Sequence, residues 1–302
     1  MKKILAVAMV LAMFVALVAC EASSGDLTSI NDYVAPNYTY QTETGYFTFA
    51  EAGGNTAVIT GYVGKAEPHA VVIPAQVTVA ALDENSRNDD NVRNIVGIAD
   101  EAFFYCTAMT SVTIPASVES IGDWAFAGCV GLTEIVLPDK VATIGEGAFH
   151  GCENLTSVQF SQGLTKIDKF AFYNCKGLTE INLPDQLVEI GEAAFFGCQG
   201  LTKLDIPAST IIIGGLAFYQ CNHLTEIKIN TTAEEIEFGN FIFWSELKSV
   251  ITAPEGSAAA EYVDKIVISG VGEEVTTKGE ETTEPEEETE TDSEEQTTEA
   301  AA

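Results

Sequence analysis

Basic side chains are scarce. The 302 residues carry 14 Lys+Arg against 45 Asp+Glu, a formal net charge of −31. A field of that sign repels phosphate backbones and argues against nucleic acid as a partner. It also repels an anionic membrane surface, so any attachment to a bilayer must be hydrophobic or covalent. Histidine is nearly absent: His69, His150 and His223 lie far apart and imply no Ser, Cys or Asp partner, so they read as surface turn residues. No phosphate-cradling glycine loop, nucleophile elbow or His-Glu zinc motif occurs. Close-spaced cysteine pairs are missing too, which removes the usual zinc arrangement. The sequence calls for no cofactor and no metal, and it does not read as an enzyme.

What is present is strongly segmented. Lys2 and Lys3 precede an unbroken apolar run of 16 residues, Ile4 to Ala19. That is short for a membrane span and suits a signal peptide core, so residues 1–19 are expected to be a signal peptide. The run ends in Leu17-Val18-Ala19-Cys20, which resembles the bacterial lipobox, in which the thiol is lipidated after cleavage. Cys20 is then the lipidation site, residues 20–44 a lipidated tether, and the N-terminal lipid the only membrane contact. The expected location is the outer face of a bacterial membrane. At the other end, residues 273–302 form a Glu/Thr-rich tail with 13 acidic residues and a single lysine between Glu273 and Glu299. So little apolar content predicts disorder.

Between these ends the chain repeats. Cys106, Cys129, Cys152, Cys175, Cys198 and Cys221 follow one another at a spacing of 23 residues. A phenylalanine stands three before each, Phe103 to Phe218, and an isoleucine eight before each, Ile98 to Ile213. Met109 and Leu132 to Leu224 stand three after. A seventh copy without cysteine is expected at Ile236, Phe241, Trp244 in the Cys column, Leu247 and Val250. Columns kept in step by a fixed period imply coils that bury their apolar faces against one another. Each repeat, such as Leu132 to Cys152, reads as a short strand stopped by Pro138, a second short extended run from Lys140 to Gly145, then a tight turn or single helical turn. The fold class is therefore a β-rich solenoid, a leucine-rich-repeat stack of 23-residue coils with short parallel strands about 4.8 Å apart.

The ends of the stack differ. Tyr46–Phe49 and Thr56–Val63 around Gly53-Gly54-Asn55 read as a hairpin, and His69–Val77 as a short buried strand run ended by Pro74. Residues 45–97 are thus a hairpin and atypical capping coil, with residues 81–94 a surface loop. Residues 98–252 are the seven repeats. Residues 253–272 are a C-terminal cap, helical over Ala258 to Val263 and then a closing strand.

Leu-Thr pairs at 132–133, 155–156, 178–179, 201–202 and 224–225, with Ile-Gly at 121–122, 144–145, 190–191 and 213–214, resemble the BspA-type, or Treponema-type, bacterial leucine-rich repeat. The resemblance covers about Ile73 to Thr252. It implies a surface protein that binds host or bacterial surface proteins. Asp168 departs from the pattern at a Gly position, Ser161 and Asn230 at Pro positions.

A 23-residue ladder places one sulfur per coil along a line, which does not converge four ligands on a metal. Disulfides are conceivable in an exported chain, but in-register neighbours hold their Cβ atoms parallel and too far apart. The cysteines therefore read as buried, unpaired packing residues. Glu134, Glu180 and Glu226 share an outward column. Glu180 and Glu226, two coils apart, stand at roughly 9–10 Å, a separation that overlaps an inverting glycosidase pair, though nothing in the sequence implies a cleft. The outward strand positions Glu134, Gln159, Glu180, Asn182, Lys203, Asp205, Glu226 and Lys228 are the candidate binding surface, with Tyr105, Tyr173, Phe196 and Tyr219 as a second pointer. Protein binding or adhesion is the expected function. A glycan- or nutrient-binding module, with a polysaccharide partner, and a structural spacer are the alternatives.

Overall fold

The computed structural model describes residues 38–78, 92–233, 236–243 and 251–269. The signal peptide, Cys20, Trp244 and the acidic tail lie outside these residues. The stack begins with an antiparallel unit: β1 (Tyr38–Gln41) pairs β2 (Gly45–Gly53), which pairs β3 (Thr56–Gly64). The hairpin falls where its turn residues put it, with Gly53 and Gly54 at φ of 97° and 56°. Tyr38–Gln41, expected in the tether, is instead folded, because β-prone Tyr and Thr residues find the open edge of β2.

Three further strands lead into the coils: β4 (His69–Val72), β5 (Gln76–Thr78) and β6 (Val92–Ile98). Val92, Arg93 and Asn94, expected in a surface loop, belong to β6, whose Asn94 and Ile95 sit beside Thr56 and Ala57 of β3. Strand β4 pairs β7 (Met109–Thr113) in parallel. It is buried on one side only, with Val71 inside and Val72 61% exposed.

From β6 onward the second extended run of every coil joins one parallel ladder. Strands Ser120–Ile121, Thr143–Ile144, Lys166–Ile167, Glu189–Ile190, Ile212–Ile213 and Glu237–Phe238 follow in order. The Leu-Thr strands form shorter parallel sets, Glu134–Val136 with Ser157–Gln159 and Lys203–Ile206 with Glu226–Ile229. The turns add a third ladder: the N–H groups of Phe103, Phe126, Phe149, Phe172 and Phe195 donate to the carbonyls of Ala125, Ala148, Ala171, Ala194 and Ala217 in the following coil. Between the strands the chain makes tight turns. Trp124, Gly147, Phe170, Ala193 and Leu216 all sit in the left-handed region, at φ of 56°, 60°, 57°, 51° and 60°. That geometry strains a side-chain-bearing residue by about 1–2 kcal/mol. It is retained because it aims each of their N–H groups at the next coil.

The core is one continuous column. Phe103, Phe126, Phe149, Phe172, Phe195 and Phe218 are fully buried. Successive rings stack at 4.8, 5.3, 5.1, 5.2 and 5.3 Å with their planes nearly parallel. Phe47 and Tyr62 from the hairpin cover the Phe103 ring at 6.2 and 5.5 Å. Burial of each large side chain contributes roughly 1.5–3 kcal/mol gross.

The departures from the repeat pattern are absorbed by hydrogen bonds. Ser161 donates through Oγ to the Asp139 carbonyl at 2.9 Å and accepts from Gly163 N–H at 3.1 Å. Its own carbonyl accepts from Leu164 as Pro138 accepts from Val141. Asn230 donates to the Ile206 carbonyl at 3.0 Å. Asp168 accepts from Lys169 N–H at 2.8 Å.

The seventh copy is out of step. Phe238 pairs with Ile213 and Phe243 with Phe218, a step of 25 residues. Phe241, assigned by a 23-residue step to the Phe column, instead takes the left-handed turn position at φ 54° and is 45% exposed. Two extra residues before Glu237 shift the frame, so Gly239 fills the Gly place that the shorter step leaves without glycine. The Cys-column place of this copy lies outside the described residues. The closing segment is also different: helix α1 (Ala258–Ser269) runs through the stretch expected to be a strand. Ser257 caps it, accepting Ala260 N–H at 3.1 Å, and three alanines start it with high helix propensity.

Candidate binding surface

Because side chains alternate along a strand, residues flanking each buried Ile, Val or Leu of the Leu-Thr strands must point out. Glu134, Gln159, Glu180, Asn182, Lys203, Asp205 and Lys228 are exposed, and Glu226 is half-buried. Register brings Ser157 beside Glu134 and Gln159 beside Val136. It likewise places Glu226 beside Lys203 and Lys228 beside Asp205. The row divides into two shallow concavities. One, of 430 Å³, is lined by Glu134, Val136, Asp139 and Gln159 with Ser111 and Thr113. The other, of 270 Å³, gathers Glu180, Asn182, Lys203, Asp205, Glu226 and Lys228.

Charges in the second concavity are cross-linked. Lys228 Nζ lies 2.7 Å from one Glu226 carboxylate oxygen, and Lys203 Nζ lies 3.4 Å from the other. Asp205 accepts a hydrogen bond from Asn230 Nδ2. The Lys228 hydrogen bond, with Lys203 beside it, holds the Glu226 carboxyl below its ordinary pKa, and Glu226 raises Lys228. Such solvated pairs add little stability, but they hold the three long side chains of Lys203, Glu226 and Lys228 in a fixed array of donors and acceptors. Glycoside cleavage needs one raised carboxylic acid beside one ionised carboxylate, and a Glu226 held ionised fits only the second role.

The six repeat cysteines are all buried, and none is joined in a disulfide. From Cys129 to Cys221 each thiol donates to the carbonyl of the phenylalanine in the preceding coil, at 3.1–3.2 Å. Burial pushes Cys152 and Cys221 up to about 12 and raises Cys175 and Cys198 well above their ordinary value. These are inert thiols. Among the described residues no group of His, Cys, Asp and Glu is placed to hold a metal ion.

A second feature lies along the turn edge. His150, Tyr173, Phe196 and Tyr219 form a half-buried stack with ring centroids 4.8, 4.7 and 5.6 Å apart. Trp124 leans on His150 at 5.2 Å. Tyr105 belongs to the next column, beside Gly128, Gly151 and Asn174. The sequence pointed to Tyr173, Phe196 and Tyr219 but missed His150, which is not an isolated turn residue, and Trp124; the signal was the 23-residue spacing of Phe104, His150, Tyr173, Phe196 and Tyr219. His69 is likewise partnered, with Nε2 3.0 Å from the Tyr62 hydroxyl. His223 Nδ1 lies 2.6 Å from the Gln199 carbonyl.

The chain is similar in structure to a leucine rich cell surface protein from Faecalibacterium prausnitzii A2-165, at 29% identity and a TM-score of 0.50, over 64% of this chain and 55% of that one. The chain thus spans about half the length of that relative. It also matches the T. pallidum leucine rich repeat protein at 23% identity and a TM-score of 0.44, over 73% of this chain and 92% of that one. No curated protein matches. The model of the BspA type leucine rich repeat region matches in six copies over residues 96–184 and 147–262, more than half of the chain. With the 23-residue coil and its buried Phe and Cys columns, that match makes the chain a member of the BspA type leucine rich repeat family.

Proposed function

We propose that this chain is an exported, lipid-anchored protein of a bacterial cell surface whose solenoid binds another protein through its outward strand row. The observation that carries the reading is the 270 Å³ concavity, where six polar residues from three successive coils converge, with Glu226 already paired to Lys203 and Lys228. A pre-ordered array lowers the entropic cost of binding. The cell-surface description of the Faecalibacterium relative supports the location. Among the described residues no helix is long and apolar enough to cross a membrane; the anchor of the proposal is Cys20, on its lipobox-like Leu17-Val18-Ala19-Cys20.

The test is a binding screen of the mature chain against surface and matrix proteins and against polysaccharides. A protein ligand lost with Lys203→Ala/Lys228→Ala supports the reading. Binding to polysaccharides alone overturns it, and binding to neither class favours a spacer. The anchor is tested separately, by release of Cys20→Ser from the membrane fraction.

A further inference from the structure

One column after the stacked phenylalanines runs the surface row of rings, Phe104 at its start and His150, Tyr173, Phe196 and Tyr219 farther on. Its second place is Ala127, buried at 1% exposure. The missing ring leaves a cleft of 410 Å³, floored by Ala127 and Gly128 and rimmed by Phe104, Tyr105, Trp124 and His150. The rim is built from below. A Cβ on Gly128 would meet the Tyr105 ring at 3.0 Å, and one on Gly147 would meet the Trp124 ring at 2.7 Å. Both glycines sit in the left-handed region, at φ of 71° and 60°. Each is therefore called for twice, by its backbone and by the ring lying over it. The ring faces are in place before any ligand arrives.

The cleft is also acidic. Among the described residues Glu101 and Glu153 line it, and no lysine or arginine does. Lys176 reaches Glu153 from outside at 2.8 Å, and Glu101 is exposed. Burial lowers the His150 pKa, so that ring adds no positive charge at neutral pH. An anion is repelled here. A neutral apolar group would cover the carboxylates without pairing them. A flat cation does neither: it lies on ring faces and donates to a carboxylate edge.

We propose that this cleft takes the guanidinium group of an arginine presented by a basic protein segment. The cleft shares no residue with the strand-row concavity, so the proposal stands apart from the function proposed above. The full chain is titrated calorimetrically at low salt with an Arg-Gly-Arg-Gly-Arg peptide, its lysine counterpart and a neutral oligosaccharide. The expected result is saturable binding of the arginine peptide, about tenfold weaker binding of the lysine peptide, and loss of affinity as salt rises. Ala127→Phe supplies the absent ring and is expected to abolish binding. Glu101→Gln, a surface change that leaves packing alone, is expected to weaken it about threefold. Arginine-peptide affinity unchanged in both variants would place the peptide on the acidic residues 273–299 and overturn the proposal. Equal binding of the neutral oligosaccharide, lost in Ala127→Phe, would overturn it as well.

Discussion

A thiol in this stack is a hydrogen-bond donor rather than a reagent. Each sulfur from Cys129 onward spends its proton on a phenylalanine carbonyl in the preceding coil, so ionisation would break a bond and bury a charge together. The pH consequence has a definite sign. In the unfolded chain these thiols ionise near their ordinary 9.0, whereas folded Cys152 and Cys221 do so at about 12. Above pH 9 the folded state holds more protons than the unfolded one, so stability is full below pH 9 and falls from there toward 12. The slope is about 1.4 kcal/mol per pH unit for each such thiol. Urea unfolding followed from pH 7 to 11 measures it, and a flat profile would show the thiols to be solvated. That these cysteines are packing residues was legible from their period alone. Their hydrogen bonds were not, because they link residues 26 apart across two coils. The cleft at Ala127 was illegible for a related reason: a column had to be seen before a gap in it could be noticed.

At the scale of the single coil, the stabilising unit is one ring between two others. Phe172 stacks on Phe149 at 5.1 Å and on Phe195 at 5.2 Å, and is also met edge-on by Phe160 at 5.7 Å. Phe172→Ala is expected to cost about 3–5 kcal/mol and to uncouple the coils on either side, since each touches only its neighbours. Hydrogen exchange should show protection lost in the two adjacent coils and kept in the hairpin. Loss spread evenly over the stack would mean that the coils unfold as one body. The two extended runs of a coil could be read from alternation and from Pro138, although residues 179–183 form no strand. The last coil could not, because two added residues shift Phe238 and Phe243 into places that a strict count gives to Ile236 and Phe241. The closing helix was half legible: the alanines start it, but Ile266 to Ile268 carry β propensity that the Ser257 cap and the preceding turns override.

At the scale of the molecule, the hairpin and α1 are covers. Without residues 38–78, the Phe103 ring loses Phe47 and Tyr62, and β6 loses its partners β3 and β5. A chain lacking them is expected to expose Ile98 and Phe103, bind a hydrophobic dye and associate, each large residue forfeiting roughly 1.5–3 kcal/mol of burial. An equally soluble, monomeric truncation would show that the cover is dispensable. The far end handles the same hazard by another route. A ladder of identical coils is a template: its last edge offers the next chain the backbone groups that it offered its own next coil, which is how cross-β fibres extend. The last coil keeps its columns, with Phe238 beside Ile213 and Phe243 stacked on Phe218, so its spacing does not spoil that template. What closes it is α1, whose Tyr262 ring lies on Phe238 at 3.9 Å and whose backbone groups are bonded within the helix. The helical cap works as a chain terminator, keeping a protein built from a polymerisable unit from becoming a polymer.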